Sequence, residues 1–393
     1  MEYDFQSIIG MLNANIPSGD NFAFRLARNA NAPADLLFNK MLPRENRASW
    51  HTSGGTMTIT PTILNEVAMD SDPAPMGNLE SSLFSEKISK FGGQMFFNEA
   101  QQREWIEMEN DIRLSASREG LSAAGDMQTQ LNMFAETGMA DSNTINGRRL
   151  NIIANVIRSM QLSHFNTSEW LAGEALTEGK IEYNFSGLEM RIGYKIPSTQ
   201  IKNYSGNDRF DQSSSKWWTF VRYCYKTLKN PMFFMNSNSY YDIVENDVNK
   251  IQEQYITGDV RPMSKYRDDA VTQKMDANER VNVNIYDKAG SIMDVSTNTL
   301  VSKPFLKDKR VIVVGELNTS QIELTLGGVT DPDNNLRMGY THVGPTVEGG
   351  GRSGIYANIY TLPHKPQQIF TDTYVNMLPV ILNPKKIIIA KFD

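Results

Sequence analysis

The C-terminal segment, Met377 to Asp393, constrains the fold of this chain more than any other part of the sequence. It reads MLPVILNPKKIIIAKFD. We interpret Leu378–Pro384 as an extended apolar turn segment and Lys385–Phe392 as a β-strand. Chain termini are usually polar and frayed unless something holds them in place. Because a strand this rich in isoleucine is buried by pairing, the sequence predicts that it returns to a sheet formed earlier in the chain.

Composition indicates a globular protein. Of 393 residues, 40% are apolar and 21% are charged, which is enough for one large core or for two to three ordinary domains. The formal net charge is −6. This argues against a protein that grips duplex DNA, because neutralising phosphates normally requires a basic surface. The longest apolar runs, such as Val311–Val314 and Ile387–Ala390, are far too short to cross a bilayer, so we expect no membrane partner.

The first part of the chain predicts an arm followed by a hairpin. Residues 1–46 mix short apolar clusters with Asn, Pro and Arg, which suggests an extended arm with one or two short helices. Ser49–Phe91 is β-prone, with a Thr-rich run at Thr56–Thr60 and a strong turn at Asp70–Gly77. The hairpin is polar on both faces. Because an isolated hairpin is marginal in water, we expect something outside the local fold to cover it.

A helical part follows between residues 94 and 176. Helices are predicted at Phe97–Ser117 and at about Met127–Phe134, and the clearest is an apolar stripe from Ile145 to Met160 that Asp141 or Thr144 could cap. Asn166 followed by Glu169 resembles a capping box and predicts that the helix restarts there. The glycines that could end it are Gly173 and Gly179.

The remaining sequence alternates between β and α patterns. Lys180–Ile196 predicts a β-hairpin that Pro197 closes. Helices are predicted at Ser215–Leu228 and from Ser239 to about Tyr255, with a short buried strand, Pro231–Met235, between them. Further strands are predicted at Val281–Tyr286, Arg310–Gly315, Gln321–Leu326 and Ile355–Tyr360.

No constellation of residues indicates catalysis, a cofactor or a metal. The four histidines, His51, His164, His342 and His364, lack the close spacing of a metal-binding pair. The single cysteine, Cys224, lies in an apolar helical stretch and predicts a buried thiol in a reducing compartment. We therefore predict no catalytic, cofactor-binding or metal-binding residues.

Two loops resemble ligand-binding motifs without completing them. Asp331–Asn335 begins like a calcium loop but has Leu336 where the sharp turn needs glycine. Gly349–Gly354 lacks the lysine of a phosphate-binding loop and predicts a flexible loop. Lys87 and Lys90 fall in the predicted hairpin, where we expect them to act as solubilising side chains.

The order of these elements resembles the major capsid proteins of tailed phages, which share the Hong Kong ninety-seven-type capsid fold. The nearest resemblance is to the lambda-type major head protein branch. It covers nearly the whole chain, except that residues 120–145 are longer than that branch suggests. The residues that carry it are Ala175–Ile181, Tyr194–Pro197, Trp217–Trp218, Pro231–Met235, Asn246–Val248 and Leu378–Pro384.

This resemblance implies an α+β fold with four parts. Residues 1–46 would be an N-terminal arm that reaches across a neighbour, and 47–92 an extended β-hairpin loop that lies over a neighbouring subunit. Residues 93–214 and 373–393 would form a peripheral domain with a long spine helix, and 215–372 an inserted axial domain. The hairpin at 180–196 and the strand at 385–392 would share the peripheral sheet.

The implied function is that of a head protein, not an enzyme. It would assemble into hexamers and pentamers of an icosahedral shell, within the virion, after production in the host cytoplasm. Its implied partners are copies of itself, a separate scaffolding protein, a portal protein, a decoration protein, and packaged double-stranded DNA bound without sequence specificity. Because the sequence starts at Met1, we expect no cleaved N-terminal scaffold segment. An encapsulin-like nanocompartment shell and a soluble α/β enzyme or binding protein remain alternatives.

Overall fold

The computed structural model describes residues 33–59, 79–96, 144–185, 188–246, 281–294, 299–317, 322–326, 337–362 and 368–393, with positions 10, 104, 107, 110, 111, 114 and 141. Helices and strands are mixed, so the predicted α+β class is confirmed. Positions 104, 107, 110, 111 and 114 are helical. The rest of the helix predicted at 97–117, the helix at 127–134, the end of the helix at 239–255, the 331–335 loop and His364 lie outside the described residues.

One long helix crosses the subunit. Helix α2 spans Ile145–Glu178, and it is preceded by helix α1, Leu37–Met41. The Thr144 hydroxyl caps α2 by accepting from the Gly147 amide at 3.0 Å. Gly179 ends it in the left-handed conformation, with φ of 71°, which glycine adopts without a steric penalty. Of the two predicted ends, Gly179 is the right one.

The predicted restart of the helix at Asn166 is wrong, because the Glu169 side chain caps a different helix. Its two carboxylate oxygens accept from the backbone amides of Phe38 and Asn39, each at 2.7 Å, at the start of α1. The Tyr286 hydroxyl also donates to Glu169 at 2.6 Å. A carboxylate at a helix N-terminus satisfies amides that have no partner within the helix, so α2 continues through Glu169 without interruption.

The end of the predicted arm belongs to the subunit core. Phe38, Met41 and Leu42 are fully buried against α2 and its neighbours. Strand β1, Arg44–Asn46, then pairs in parallel with a later strand. Residues 33–46 therefore pack within their own subunit and do not extend away from it.

The first sheet is built on one long strand. Besides β1, it contains β4 at Ser89–Phe96, β14 at Gly339–Gly344, β15 at Tyr356–Leu362 and β16 at Gln368–Ile381. The strand order is β1–β14–β16–β15, and β4 also pairs with β16. The turn predicted at 378–384 is wrong for its first half, because residues 378–381 belong to β16 and pair with β14.

Pro379 fits into this strand because of where its nitrogen points. The Pro379 carbonyl accepts from the buried Tyr194 hydroxyl at 2.8 Å. In a strand, the nitrogen and the carbonyl of one residue point to the same edge. On that edge β4 reaches only as far as Met377, so the missing N–H of Pro379 removes no bond between strands.

The second sheet contains the C-terminal strand. It contains β7 at Ile201–Asn203, β8 at Leu228–Met235, β9 at Asn282–Ile285, β12 at Arg310–Leu317 and β17 at Ile387–Lys391. The strand order is β7–β17–β12–β8–β9. The predicted buried strand at 231–235 is confirmed within β8. Strand β17 pairs antiparallel with β12 and parallel with β7.

The predicted partner of the C-terminal strand is wrong. The hairpin at 180–196 is present as β5, Lys180–Phe185, and β6, Leu188–Gly193, but these two strands pair only with each other among the described residues. Ile181 and Ile192 are buried, while Glu182 and Arg191 are exposed. All four residues from Ile387 to Ala390 are buried. A strand buried on both faces needs a sheet covered on both sides, which a half-exposed hairpin cannot supply.

Successive residues of β17 enter two different cores. Ile387 and Ile389 pack into the core that contains α2, whereas Ile388, Ala390 and Phe392 pack into a second core. The second core also holds helix α3, Trp217–Thr227, and helix α4, Ser237–Glu245. Strand β12 divides in the same manner. The second sheet therefore forms the wall that the two cores share.

The predicted hairpin after residue 47 is confirmed. Strand β2, His51–Ile59, pairs antiparallel with β3, Leu79–Lys87, and a third strand, β13, Ile322–Leu326, lies against the outer edge of β2. One edge of the hairpin is thus paired within the same chain. Strands β10, Ala289–Asp294, and β11, Thr299–Pro304, form a separate ribbon that the sequence did not predict.

We expect Ile388→Ala to destabilise the subunit by about 2–5 kcal/mol, because it leaves a cavity in a fully buried strand. Ile388→Val should cost only about 0.5–1.5 kcal/mol. Denaturant unfolding of the unassembled subunit measures both.

The matched control is Ile285→Ala, in a strand of the same sheet where the isoleucine is 48% exposed; its effect should stay within about 0.5 kcal/mol. Equal losses at Ile388 and Ile285 would contradict the central position of β17.

Candidate assembly surface

The hairpin formed by β2 and β3 offers an open strand edge. Its pairing runs without interruption from His51 opposite Lys87 to Ile59 opposite Leu79. The edge of β2 is covered by β13, while β3 is the last strand of this sheet among the described residues. An open edge presents unpaired backbone groups that can pair with another chain.

The base of the hairpin is fixed to the first sheet. Ile88, between β3 and β4, is buried, and its amide donates to the Trp50 carbonyl at 3.2 Å. His342 on β14 donates from Nε2 to the Ser49 carbonyl at 3.0 Å. Burial is the main cause that lowers the pKa of His342, which keeps this imidazole neutral at pH 7. The hairpin thus leaves the subunit from an anchored position.

The glycine-rich segment between β14 and β15, where the sequence predicts a flexible loop, forms a hydrogen-bonded turn. The Thr346 amide donates to the Arg352 carbonyl at 3.1 Å, and the Gly351 amide donates back to the Thr346 carbonyl at 2.9 Å. Gly350 and Gly351 have φ of 64° and 80°, values that favour glycine. The turn holds Val347 out to solvent at 77% exposure.

Lys90 does more than add solubility. It forms an ion pair with Glu348 of this turn, and its ammonium lies 4.4 Å from the centroid of the Tyr374 ring. These contacts join the start of β4 to the β14–β15 turn and to β16. The pair is solvent-exposed and so contributes little to stability. Lys87 is exposed, in line with the solubilising role expected for it.

Large exposed apolar side chains occur on several separate elements. Leu300 and Val301 protrude from the β10–β11 ribbon, and others are Trp50, Leu162, Tyr241, Ile285 and Val347. Single exposed apolar residues are normal on soluble proteins, so no one of them marks a binding site. Their distribution fits contacts made at several places on the subunit.

The residues considered for chemistry are largely structural. Cys224 is buried, and burial raises its pKa well above the ordinary value, which leaves an unreactive thiol. Trp217 packs against Phe210 and Phe233 in the second core. His51 is exposed at the start of β2. In the described part of the chain no three metal-ligating side chains come together, and no helix is long and apolar enough to cross a membrane.

One cavity of about 340 Å³ lies between α2, β4 and the β10–β11 ribbon. Its titratable lining residues are His164 and Lys303. Burial, helped by the charge of Arg44, lowers the pKa of His164 to about 3, and the Lys303 ammonium lies 5.7 Å from the Trp170 ring. These two groups do not make the nucleophile and base pair that catalysis requires.

A cluster of charges joins the C-terminal strand to helix α2. Glu178, the last residue of α2, accepts from Arg310 Nε at 2.9 Å and from the Lys391 ammonium. Arg310 also donates to Asp393 at 2.6 Å. Burial opposes ionisation of Glu178, but these hydrogen bonds and positive charges outweigh it and lower the pKa of the carboxyl. The cluster is largely buried, so its ion pairs are less screened by solvent than those on the surface. It joins α2, β12 and β17.

We expect Glu178→Gln to destabilise the subunit by about 1–2 kcal/mol at pH 7, because two cations lose their carboxylate. Since folding lowers the pKa of Glu178, its contribution is complete above its ordinary value of 4.5 and is lost as the pH falls through the lower folded value. Denaturation midpoints of both proteins between pH 3 and pH 7 measure this.

The control is Glu182→Gln, whose partner Lys180 and own side chain are both exposed; it should change stability little at any pH. A Glu178→Gln deficit as large at pH 3 as at pH 7 would contradict the ionic role of Glu178.

The chain matches the family model for phage major capsid protein E over residues 126–392, about two thirds of its length. No curated protein matches it. Among solved structures it is similar to a prophage protein of Escherichia coli CFT073 that is named as a capsid protein, with TM-score 0.49 and 14% identity over 98% of this chain and 99% of that chain.

Two further structures show weaker likeness. A phage-related protein of Bordetella bronchiseptica RB50 gives TM-score 0.41 and 13% identity over 95% of this chain and 96% of that chain. A chain of the bacteriophage PhiM1 mature capsid gives TM-score 0.37 and 8% identity over 92% and 89%. At these scores the structural likenesses carry no weight for function, which rests on the family match.

Proposed function

The chain belongs to the phage major capsid protein E family, and we propose that it builds an icosahedral head from hexamers and pentamers around double-stranded DNA. The single observation that carries this proposal is the family match over residues 126–392. That range contains α2, the β5–β6 hairpin and every strand of the second sheet. The resemblance to tailed-phage major capsid proteins is thereby confirmed, and the protein is a structural component of a virion.

The family match argues against the two alternative functions, a nanocompartment shell and a soluble enzyme or binding protein. A nanocompartment shell has no support from a family defined by phage capsid proteins. The enzyme alternative predicts convergent catalytic groups in a pocket, and the cavity beside α2 is lined by a neutral histidine and a lysine as its titratable groups. We propose that the protein has no enzymatic activity.

We propose separate roles in assembly for the parts of the chain. Residues 47–92 serve as the extended loop over a neighbouring subunit, which the open edge of β3 supports. Residues 93–214 and 373–393 form the peripheral domain and 215–372 the axial domain, with one amendment. Strand β17 pairs with β12, in the axial range, so we assign it to that domain's sheet. Of the arm at 1–46, only residues 1–32 remain to reach a neighbour.

Other partners follow from the assembly of a DNA-filled head. We propose a separate scaffolding protein, a portal protein and a decoration protein, with assembly in the host cytoplasm before the virion is released. The net charge of −6 supports a wall that contacts DNA without gripping it, because tight binding would need many cationic contacts to phosphates.

We expect the purified protein, alone or with its scaffolding protein, to form closed particles with five-fold and six-fold clusters. Negative-stain and cryo-electron microscopy measure this directly. A protein that stays monomeric under both conditions, at concentrations where the scaffold itself is active, would contradict the proposal.

The hairpin can be shortened to test its proposed role. Ile59 and Leu79 are opposite each other in the pairing, so replacing residues 60–78 with a two-residue Asn-Gly turn should close the hairpin without changing its register. We expect subunits of normal stability that assemble at less than about a tenth of the normal yield, since a loss of only 1.4 kcal/mol in association gives that factor.

Particle yield by sedimentation and subunit stability by denaturation separate the two effects. The matched control replaces residues 363–367, between β15 and β16, with a flexible linker of equal length, which tests whether any altered loop has the same effect. Normal particles from the shortened hairpin would refute the role of the loop in assembly.

A further inference from the structure

Strand β15 has an outer edge that the first sheet leaves open. The strand pairs with β16 along its whole length without a register shift, and no other strand of the described structure pairs with its far side. Backbone groups on such an edge can pair with a strand of another chain. The first sheet can therefore be extended at β15.

The pairing of β14 with β16 shows which backbone groups face this edge. The Thr341 amide donates to the Pro43 carbonyl beside β1 at 2.9 Å, so the backbone groups of Thr341 and of Pro379 opposite it point away from each other. Successive residues of a strand point to opposite edges, so the even-numbered residues of β16 face β14. Strand β15 lies on the same edge of β16 as β14, because β4 pairs opposite both of them.

It follows that Asn358, which lies opposite Asp372, uses its backbone groups to pair with β16. Its neighbours along β15 point the other way. The residues whose N–H and C=O groups face outward are Ala357, Ile359 and Thr361.

This edge has none of the features that normally protect an edge strand. It is seven residues long, contains no charged residue and no proline, and has no bulge. Soluble proteins usually protect an edge with charge, proline, a bulge or a cover, because six or seven uncharged β-prone residues favour aggregation. The other edge strands of five or more residues in the described structure each contain a charged residue; they are β3, β4, β5, β6, β10, β11 and β13.

The sequence of β15 suits pairing with a second copy of itself. An icosahedral shell contains two-fold axes, and a contact across such an axis uses the same surface of both copies. Two antiparallel β15 strands centred on Ile359 place Ala357 opposite Thr361 and Asn358 opposite Tyr360. No charge lies opposite a like charge in this arrangement, and all three outward-facing residues of each strand meet partners.

The open edge of β3 does not suit a two-fold contact in the same way. Two antiparallel β3 strands centred on Leu83 would place Glu80 opposite Glu86, and like charges directly opposite each other are destabilising. Of the two open edges, β15 is therefore the better one for a contact between identical surfaces.

We propose that β15 pairs antiparallel with β15 of a second copy of this protein across a two-fold axis of the shell. This inference rests on the proposed shell-building function, which supplies the two-fold axes. The outward-facing residues of the two strands exchange about six hydrogen bonds. The first sheets of the two subunits then form one continuous sheet, and the edge that is open in the free subunit is covered in the shell.

The first test compares Ile359→Pro with Ile359→Val. The proline variant removes one outward-facing N–H and keeps the bonds between β15 and β16, a position where edge strands tolerate proline. The valine variant keeps both the N–H and a β-branched side chain. We expect both isolated subunits to unfold at similar denaturant concentrations. Shells of Ile359→Pro should form in at least tenfold lower yield, while those of Ile359→Val form as the wild type does.

The second test uses Ile359→Cys, because a two-fold axis through this position brings the residue next to its own counterpart. Hydrogen-bonded residues of an antiparallel pair have Cα atoms about 5.5 Å apart, which a disulfide can span. Oxidised shells of this variant should yield covalent dimers on a non-reducing gel. Asn358→Cys is the matched control, since its diagonal counterpart lies about 7–8 Å away. Cys224 is buried and should form no dimer.

Well-formed shells without the Ile359→Cys dimer would overturn the inference and leave the proposed function intact. The same conclusion would follow from a cryo-electron microscopy map in which β15 is covered by a neighbour's hairpin or by a scaffolding protein. If Ile359→Pro destabilises the isolated subunit, its shell yield no longer reports on the edge, and the cross-link decides alone. Wild-type protein that forms no shells would refute the proposed function and this inference together.

Discussion

The antiparallel pairing of β12 with β17 is the interaction on which the rest of this subunit depends. Val311 to Val314 lie opposite Ala390 to Ile387, and all of these side chains are buried. Fully burying one isoleucine or valine side chain contributes about 1.5–3 kcal/mol, so this short ladder outweighs any single surface contact. Because alternate residues point into two cores, the ladder joins the helix α2 side of the subunit to the side that holds α3 and α4.

The charged cluster at Glu178 makes this pairing specific. Lys391 and Arg310, at the end of the ladder, both bind the carboxylate that ends α2. A strand shifted by one residue would turn its isoleucines to the wrong faces and would separate these charges. The same residues therefore set the register of the strand and the position of the end of α2. The first sheet, whose His342 holds the base of the β2–β3 hairpin, packs against the same helix.

Much of the fold could be predicted from local pattern, and the failures have physical causes. The long helix, the two hairpins and the buried terminal strand follow from side-chain periodicity. The partner of the terminal strand was missed, although the sequence contained the signal. Val311–Val314 and Ile387–Ala390 are two of its three longest apolar runs, a pattern typical of strands buried on both faces, and they pair with each other.

Other features depend on contacts between distant residues and have no local signature. Glu169 has the spacing of a capping box, yet the helix that it caps begins 132 positions earlier in the chain, at Leu37. Assembly sites are hard to predict for the same reason, because each is half of an arrangement that a second copy completes.

Native-state hydrogen exchange of the unassembled subunit tests most directly whether the β12–β17 ladder holds the fold together. The amides of the ladder should exchange only by global unfolding, with the same free energy as denaturant melting gives, while those of the β10–β11 ribbon open at lower cost. If β17 exchanges through a separate opening at lower free energy, while α2 and the first sheet stay protected, the terminal strand is an accessory and the account is contradicted.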